Sequence, residues 1–465
     1  MSSAPADRST TKGGLLAGTG FVYSFGALGG LNWGYDTGVI GAAMLFIQPD
    51  FDLSSAGVSA VVTFLIVGAI IGAAVGGKMS DAYGRRMVLI LTAVTFILGP
   101  LGMALAPNTE VLIASRFVAG IGAGLAAVVL PVYLSEIAPA RIRGAVTAFY
   151  ALAIVTGQFI GFGVGAIFAP AGDWRMMLGL SLIPSFLFAI GLIWVWETPR
   201  WLVQKGRHDE AKATLLRDRT PEEAASEYED ILDADRVSRE AAASQWQAIR
   251  EDWVRPILIL GLGLALFQQI MGINTIMYYA PITLTEVGFG DAAATIANVG
   301  IGFMNVVAVL LAIRFADRLG RRKLLLLGAV GTTVSLAILA GTNLLLPAPD
   351  GLGPVGFITL ACMAAYIFLF QMTWGSILWV VLGEIFPIGV RALAMGIATT
   401  LLWIGNGIVS AAFPPALEAF GVGALFAVFA VLCALAFAFT YALLPETKGR
   451  SLEAIEQQFR AKANA

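Results

Sequence analysis

The chain is poor in charge, in histidine and in cysteine. Only 13% of its 465 residues are charged, whereas 58% are hydrophobic, and the mean hydropathy is +0.81. A water-soluble protein needs far more charge to cover its surface, so this composition indicates a chain that lies mostly in lipid. The two cysteines, Cys362 and Cys433, both fall in apolar runs. This excludes a disulfide framework and a cysteine-based metal site.

Sequence signatures of catalysis and of nucleotide binding are also missing. There is no Ser/His/Asp set, no metal-ligand cluster, no phosphate-binding loop and no dinucleotide fingerprint. The glycine-rich run at residues 120–124 (GIGAG) lies inside an apolar segment, so we interpret it as a helix-packing face. We therefore expect no enzyme activity, no cofactor, no metal and no nucleic-acid partner.

The sequence does contain twelve apolar runs, each long enough to cross a membrane, which takes about 20 residues. Turn signals and charged segments separate them. Residues 198–252 differ, because they are rich in Glu, Asp, Arg and Ala, as is typical of short amphipathic helices exposed to water. The runs begin near residues 17, 57, 86, 110, 146, 174, 255, 293, 322, 353, 391 and 421.

Basic residues are distributed asymmetrically around these runs. If both termini face the cytoplasm, all of the 29 Lys and Arg residues except Arg116 and Arg175 fall in or beside cytoplasmic segments. Membrane proteins keep an excess of Lys and Arg on the cytoplasmic side. The distribution therefore predicts a multi-pass protein of the plasma (inner) membrane with both termini in the cytoplasm.

Charged motifs of the first half recur in the second half in the same order. The pairs are DAYGRR at residues 81–86 with DRLGRR at residues 317–322, Glu136 with Glu384, and Glu197 with Glu446. Two halves of the same orientation predict two bundles related by an axis along the membrane normal, with a polar site between them near mid-membrane. The predicted division is a cytoplasmic N terminus at 1–16, a six-helix bundle at 17–197, an intracellular helical domain at 198–252, a second six-helix bundle at 253–444 and a cytoplasmic tail at 445–465.

We predict that these repeated charges form a network at the cytoplasmic ends of the helices. Arginines at a membrane surface also serve as simple headgroup anchors, but acid and base recur here together in both halves. Such a network would hold the helices in one conformation and break in another. The predicted gating residues are Asp81, Arg85, Arg86, Glu136, Arg143, Glu197, Asp317, Arg321, Arg322, Glu384, Arg391 and Glu446.

Eight motifs, in order and over nearly the whole chain, resemble those of the sugar porter branch of the major facilitator superfamily. They lie at residues 77–86 (GKMSDAYGRR), 116–124 (RFVAGIGAG), 131–139 (PVYLSEIAP), 143–144 (RG), 197–201 (ETPRW), 268–274 (QQIMGIN), 317–322 (DRLGRR) and 445–449 (PETKG). The resemblance implies an all-α membrane protein with the major facilitator fold, which has 12 transmembrane helices in two six-helix bundles and an intracellular helical segment. It also implies a small neutral sugar as substrate, as in bacterial monosaccharide–proton symporters and facilitative glucose transporters.

A sugar site needs paired donors and acceptors together with apolar or aromatic faces. Carboxamides supply a donor and an acceptor from one group, and tryptophan can cover the C–H surface of a sugar ring. Amides also hold membrane helices together, and Trp often anchors helices at the interface. The match to sugar-porter positions favours binding for Gln158, Gln268, Gln269, Asn274, Asn305, Trp379 and Trp403. The chain departs from the family at Leu402, where the bacterial xylose–proton symporter has Gln, so the choice of monosaccharide stays open.

Two opposite charges, Asp36 and Arg116, lie at similar depth inside apolar runs. Intramembrane charges are costly and usually paired, so we predict that these two form an ion pair. A nearby guanidinium favours the ionised carboxylate, whereas separation in an apolar environment favours proton capture. The resemblance aligns Asp36 with the proton-coupling Asp of sugar–proton symporters, a position at which facilitators carry Asn. It aligns Arg116 with the arginine that pairs with this Asp. A static structural salt bridge is the alternative.

Without an ATP site, uphill transport has to draw on an ion gradient. We therefore expect a proton-coupled symporter for a hexose or pentose, most simply a glucose-like sugar, that works by alternating access as a monomer in the lipid bilayer. Three other functions stay open. They are a proton-independent facilitator on the same fold, a non-transporting sugar sensor, and a drug antiporter, which would not require Gln268, Gln269 and Asn274.

Overall fold

The computed structural model of the protein describes residues 12–139, 141–242, 248–346, 351–387, 389–448 and 459. Ten helical segments within these ranges are long and apolar enough to cross a membrane. The longest, Leu393–Leu443, changes direction at Gly421, whose φ of 73° and ψ of 171° are not helical, and so supplies two spans. The first helix completes the expected set of twelve.

The first half contains six spans. They are span 1 (Lys12–Asp50), span 2 (Ser55–Tyr83), span 3 (Arg85–Ala104), span 4 (Thr109–Ile137), span 5 (Arg143–Phe168) and span 6, which consists of Trp174–Gly179 and Leu182–Gly191. Three helices follow at Pro199–Gln204, His208–Leu215 and Pro221–Ala242. We call them the linker helices; Leu202, Leu215 and Ile231 are among the residues of their own small apolar core.

The second half repeats the arrangement with more irregular helices. Span 7 consists of Val254–Ile270 and Ile273–Glu286, and span 8 and span 9 are Asp291–Leu319 and Arg321–Leu345. Span 10 consists of Pro354–Phe370 and Ser376–Ile385, which a π-helical turn at Gln371–Gly375 joins. Spans 11 and 12 are the two arms of Arg391–Leu443 on either side of Gly421.

Spans 1 and 5 approach each other closely through glycines. A Cβ at Gly34 would lie 1.9 Å from the carbonyl oxygen of Ile154, and a Cβ at Gly38 would lie 2.2 Å from that of Gln158. Spans 1 and 5 therefore pack backbone against backbone, as helices with small residues four apart do in membranes. This contact places Gln158 directly against the turn of span 1 that carries Asp36.

Spans 2 and 4 pack in the same way. A Cβ at Gly120 would lie 2.0 Å from the carbonyl oxygen of Leu65, and a Cβ at Gly124 would lie 2.1 Å from that of Ala69. The interpretation of GIGAG as a packing face is confirmed. The close approach matters for the site, because it brings the N-terminal part of span 4, with Arg116, against the backbone of span 2.

The two ends of the bundles differ in charge. We call the end that carries Arg85, Arg143, Arg321 and Arg391 the arginine-rich end, and the end that carries residues 51–54 and 105–108 the opposite end.

The two halves are in contact from mid-depth to the opposite end. Near the opposite end, the Ser59 hydroxyl of span 2 donates to the carbonyl oxygen of Ala411 in span 11 at 2.6 Å, and Gly41 of span 1 packs on the backbone of Tyr278 in span 7. At the arginine-rich end, the ion pairs of Arg85 and Glu384 are made within their own halves. The structure is thus closed between the halves at the opposite end.

Candidate functional site

Asp36 and Arg116 form an ion pair inside the first bundle. Arg116 Nη1 donates to both carboxylate oxygens of Asp36, each at 2.8 Å, and Arg116 Nε donates to the carbonyl oxygen of Val61 in span 2 at 3.1 Å. The Arg116 side chain is 2% exposed and that of Asp36 is 16% exposed. The guanidinium is therefore fixed by two neighbouring spans, and the carboxylate is the more accessible partner.

A narrow cavity lies beside the Asp36 carboxylate, between spans 1, 3, 4 and 6. Its lining includes Asn32, Trp33, Phe96 and Ser181. The amide of Asn32 donates to Ser185 Oγ at 2.8 Å, which ties span 1 to span 6 on this side. Asp36 is therefore held between a fixed cation on one side and a partly polar cavity on the other.

A break in span 7 assembles three of the predicted amides. Gly272 has a φ of +94°, a left-handed conformation that glycine adopts without strain, and it separates the two helical pieces. Gln269 Nε2 donates to Gln268 Oε1 at 2.6 Å, and Asn274 Nδ2 donates to Gln269 Oε1 at 2.7 Å. The three side chains form one hydrogen-bonded chain next to span 11, because Gly405 lies against the Gln269 side chain.

The other two predicted amides meet across the interface between the halves. Asn305 Nδ2 of span 8 donates to Gln158 Oε1 of span 5 at 2.8 Å, although the residues are 147 positions apart. Asn305 is fully buried, and its Oδ1 atom has no hydrogen-bond partner among the described residues. The donor of this amide is therefore used across the interface, whereas its acceptor is unused by the described residues in this conformation.

The two predicted tryptophans occupy different environments. Trp403 of span 11 is buried, and its ring lies 5.8 Å from that of Trp33 in span 1, so this aromatic pair spans the interface between the halves. Trp379 of span 10 is 39% exposed, and no ring contact or hydrogen bond of its side chain is seen among the described residues. The structure brings Trp403 to the interface and leaves Trp379 on an exposed face.

Other residues of this interface were not among the sequence candidates. Trp33 contacts Trp403 across it. Tyr279 lines a cavity together with Val58 of span 2, and its hydroxyl donates to the carbonyl oxygen of Ser410 at 3.0 Å within the second half. The sequence does place Trp33 three residues before Asp36, which is one helical turn away. That spacing is a signal, but it does not reveal which aromatic residue of the second half lies opposite.

The first charge network joins spans 2, 3 and 4 at the arginine-rich end. Arg85 Nε and Nη2 donate to the two oxygens of Glu136 at 3.0 and 3.2 Å, and Arg85 Nη1 reaches Asp81 at 3.1 Å. Glu197 has a different role from the one expected of an ion-pair partner. Its two oxygens accept the backbone N–H groups of Arg85 and Arg86 at 3.0 and 3.1 Å, so it caps the N-terminus of span 3.

The second network repeats this geometry. Arg321 Nε and Nη2 contact Glu384 Oε1 at 3.2 and 3.1 Å, and Glu446 Oε1 accepts the backbone N–H of Arg321 at 3.0 Å. The Thr447 hydroxyl adds a hydrogen bond of 2.6 Å to Glu384 Oε2. The internal repeat of the sequence is thus a repeat of contacts, in which one carboxylate binds the guanidinium and another caps the following helix.

Three of the five remaining predicted gating residues contact their own half or the linker helices. Arg143 donates to the carbonyl oxygen of Ser135 at 2.9 Å and lies 3.8 Å from Glu227 in the linker helices. Arg322 donates to the carbonyl oxygen of Tyr441 at 2.7 Å, and Arg391 to that of Phe386 at 3.0 Å. The Arg86 side chain is exposed. The side chain of Asp317 lies outside the described residues.

A further ion pair fastens the linker helices to the first bundle. Arg219 binds Glu227 through Nε and Nη2, and its Nη2 also donates to the carbonyl oxygen of Ile137 at the end of span 4 at 3.1 Å. Among the described residues, no group of three or more His, Cys, Asp or Glu side chains could hold a metal ion.

The fold and the site together define a class of protein. Twelve spans in two bundles, a polar cluster where the bundles meet, and a buried carboxylate paired with arginine are the features of a major facilitator carrier. The chain belongs to the family described as "Sugar (and other) transporter", whose model matches residues 22–459. Members of this family move solutes across membranes, so the protein is a membrane transporter and not an enzyme.

Several relatives are named for the sugar or polyol that they transport, and two of them illustrate the match. The D-xylose transporter of Levilactobacillus brevis is 40% identical over 447 residues, which are 96% of this chain and 96% of that protein. The glucose transporter GlcP of Staphylococcus epidermidis is 37% identical over 444 residues, which are 96% of this chain and 98% of that protein.

Solved structures of one transporter also match. The inward open conformation of the xylose transporter XylE from E. coli superposes with a TM-score of 0.79 at 29% identity, covering 94% of this chain and 99% of that chain. The proton:xylose symporter XylE bound to 6-bromo-6-deoxy-D-glucose matches with a TM-score of 0.77 at 29% identity, covering 95% of this chain and 99% of that chain.

Proposed function

We propose that the protein is a proton-coupled monosaccharide symporter of the plasma membrane that carries a hexose or a pentose by alternating access. In this proposal both termini and the arginine-rich end face the cytoplasm, and the linker helices, within residues 198–252, form an intracellular domain. Two relatives are named as transporters of D-xylose and of glucose, and a matching solved structure is of a proton:xylose symporter. A single chain holds every residue of the site, so the protein works as a monomer.

The observation that carries the proposal is the position of the Asp36–Arg116 pair next to the sugar amides. Gly38, two residues after Asp36, packs against the backbone carbonyl of Gln158. Gln158 in turn accepts a hydrogen bond from Asn305 of the other half. One short stretch of span 1 is therefore in contact with both the titratable pair and the amide bridge between the halves.

This arrangement gives a physical route for coupling. A proton that reaches Asp36 neutralises the carboxylate and removes most of its attraction for Arg116, whose guanidinium stays bound to the carbonyl of Val61. Span 1 is then free to move relative to span 4. Because Gly38 leaves no space between span 1 and Gln158, that movement shifts the Gln158–Asn305 contact. Proton binding and the opening of the halves at the opposite end are thereby linked.

The charge networks have a part in the same cycle. In the present conformation the Arg85–Glu136 pair lies within the first half and the Arg321–Glu384 pair lies within the second. We propose that closing the arginine-rich end brings these networks into contact across the interface, and that opening it separates them.

Proton uptake on sugar addition tests the proposal. Purified protein in proteoliposomes that contain a pH indicator is given D-xylose or D-glucose in the absence of other gradients. Symport carries protons in with the sugar, so the indicator reports acidification of the vesicle lumen in proportion to the sugar taken up. Sugar flux without any pH change would instead identify the protein as a facilitator, and the absence of flux with either sugar would reject monosaccharide transport for these two substrates.

A further inference from the structure

The side chain of Asn298, in span 8, is buried in an unusual way. It is 1% exposed, yet neither its Nδ2 nor its Oδ1 atom has a hydrogen-bond partner within the part of the chain that the structure describes. A buried amide that is left unpaired is destabilising, and nearly all such groups in proteins have a partner. A residue of this kind therefore needs a functional explanation.

Its position on span 8 shows which way Asn298 points. Residues four and seven positions apart share a face of a helix, so Asn298 lies on the face of Gly302 and Asn305. Gly302 packs on the ring of Phe162 in span 5, to which a Cβ would come within 2.2 Å, and Asn305 binds Gln158 in the same span. Asn298 consequently faces the first half, at the interface between the halves.

Asn298 is nearer to the opposite end than the amide bridge is. Seven helical residues correspond to about 10 Å along the axis, and span 8 runs from the opposite end at Asp291 to the arginine-rich end at Leu319. This is the part of the interface that is closed in the present conformation. When the halves separate there, Asn298 comes to line the route that leads to Gln158 and Asn305.

We propose that Asn298 is an outer sugar-binding position, which takes a hydroxyl of the substrate before the sugar reaches the Gln158–Asn305 site. The inference rests on the proposed function. A carboxamide offers a donor and an acceptor to one hydroxyl group, and neither atom of this amide has a partner among the described residues while the opposite end is closed. In the open state they become accessible to a polyol that arrives from the opposite end.

A purely structural role explains the observation less well. An amide that holds helices together forms its hydrogen bonds in the packed state, as Asn343 does with Thr359 at 2.9 Å. Thr295, almost one turn before Asn298, is also buried, but its hydroxyl donates to the carbonyl oxygen of Ala292 in its own helix at 2.9 Å. The Thr295 hydroxyl is thus hydrogen-bonded within its own helix, whereas the Asn298 amide has no hydrogen-bond partner among the described residues.

The test compares KM values for sugar supplied from each side of oriented proteoliposomes. Asn298→Leu removes the amide but keeps the branched shape and the number of heavy atoms, Asn298→Thr puts one hydroxyl in its place, and Thr295→Val is the matched control. For D-glucose supplied from the opposite end, Asn298→Leu should raise KM about three- to tenfold, the range for one uncharged hydrogen bond. Asn298→Thr should lie between the wild type and Asn298→Leu, and Thr295→Val should match the wild type.

A second measurement separates binding from a shift in conformational equilibrium. The same KM values are measured with 1-deoxy-, 2-deoxy-, 3-deoxy-, 4-deoxy- and 6-deoxy-D-glucose, which together remove each hydroxyl of the pyranose in turn. If Asn298 binds one hydroxyl, the penalty of Asn298→Leu disappears for the analogue that lacks this hydroxyl and persists for the others, as in a double-mutant cycle. An equal penalty for all sugars would show that the amide only opposes closure and would overturn the inference. A wild type that moves no sugar would reject the proposed function itself.

Discussion

Replacing Asp36 by Asn removes the charge on which the coupling hypothesis depends while keeping the shape of the side chain. In the native pair, one guanidinium nitrogen lies 2.8 Å from both carboxylate oxygens, and the Arg116 side chain is 2% exposed. Removing one partner of a buried pair costs about 3–5 kcal/mol, because the other charge stays buried. The Asn oxygen still accepts one hydrogen bond, worth about 1 kcal/mol. We therefore expect Asp36→Asn to destabilise the folded protein by about 2–4 kcal/mol.

The functional effect should be larger than this loss of stability suggests. Moving one elementary charge across a potential of 100 mV is worth about 2.3 kcal/mol, and about 1.4 kcal/mol is a factor of ten in a concentration ratio. A carrier that moves one proton with each sugar can therefore accumulate the sugar about 40-fold at that potential. A carrier without proton coupling brings the internal sugar only to the external concentration.

The assay is accumulation of radiolabelled D-xylose in proteoliposomes with a potassium diffusion potential, followed by counterflow exchange without a potential. Asp36→Asn should give a ratio near one in the first measurement and measurable exchange in the second, which proves that the variant is folded. Asp50→Asn is the matched control, because the Asp50 carboxylate pairs with Arg175 and is 51% exposed. Strong accumulation by Asp36→Asn would refute the coupling role.

Three further predictions concern the sugar site and its support. Gln269→Ala removes the middle of the hydrogen-bonded amide chain and should weaken sugar binding, measured by calorimetry, about 10- to 100-fold. Asn343→Ala, which removes an amide remote from the interface, should leave the affinity unchanged. Equal affinities for the two variants would make Gln269 a packing residue. Gly38→Ala places a Cβ 2.2 Å from the Gln158 carbonyl oxygen and should lower both thermal stability and sugar affinity, whereas Gly163→Ala, with no atom within 4 Å, should be neutral. Glu136→Ala leaves the buried guanidinium of Arg85 without its main partner and should destabilise the protein by about 3–5 kcal/mol in thermal unfolding. An unchanged melting temperature would argue against a stabilising network.

Much of the architecture follows from local sequence signals. Hydropathy over about 20 residues predicts the spans because lipid cannot satisfy an exposed backbone. The motif repeat predicts two equivalent halves, and the structure places Arg85 with Glu136 and Arg321 with Glu384 in the same geometry. The partnership of Asp36 with Arg116 could be predicted as well, since two opposite charges at equal depth have few other ways to offset their burial.

Other features depend on how the spans pack and carry no local signal. Glu197 looks like an ion-pair partner in the sequence, but the turn at Gly84 brings it onto backbone N–H groups of span 3. Trp379 has the spacing of a ring-stacking residue, yet its face of span 10 is exposed in this conformation. Helical periodicity places a residue on a face, but the partner of that face depends on the neighbouring helix.

The sequence by itself therefore determined that the chain spans a membrane, that its two halves are alike, and that a carboxylate and a guanidinium share one depth in the first half. Only the tertiary structure decided that Gln158 meets Asn305 across 147 residues and that Gly38 links this contact to the stretch of Asp36. It alone also decided that Asn298 is buried without a hydrogen-bond partner among the residues that the structure describes. The physical reason is that hydropathy and periodicity act within one helix, whereas these contacts arise where different helices and the two bundles meet.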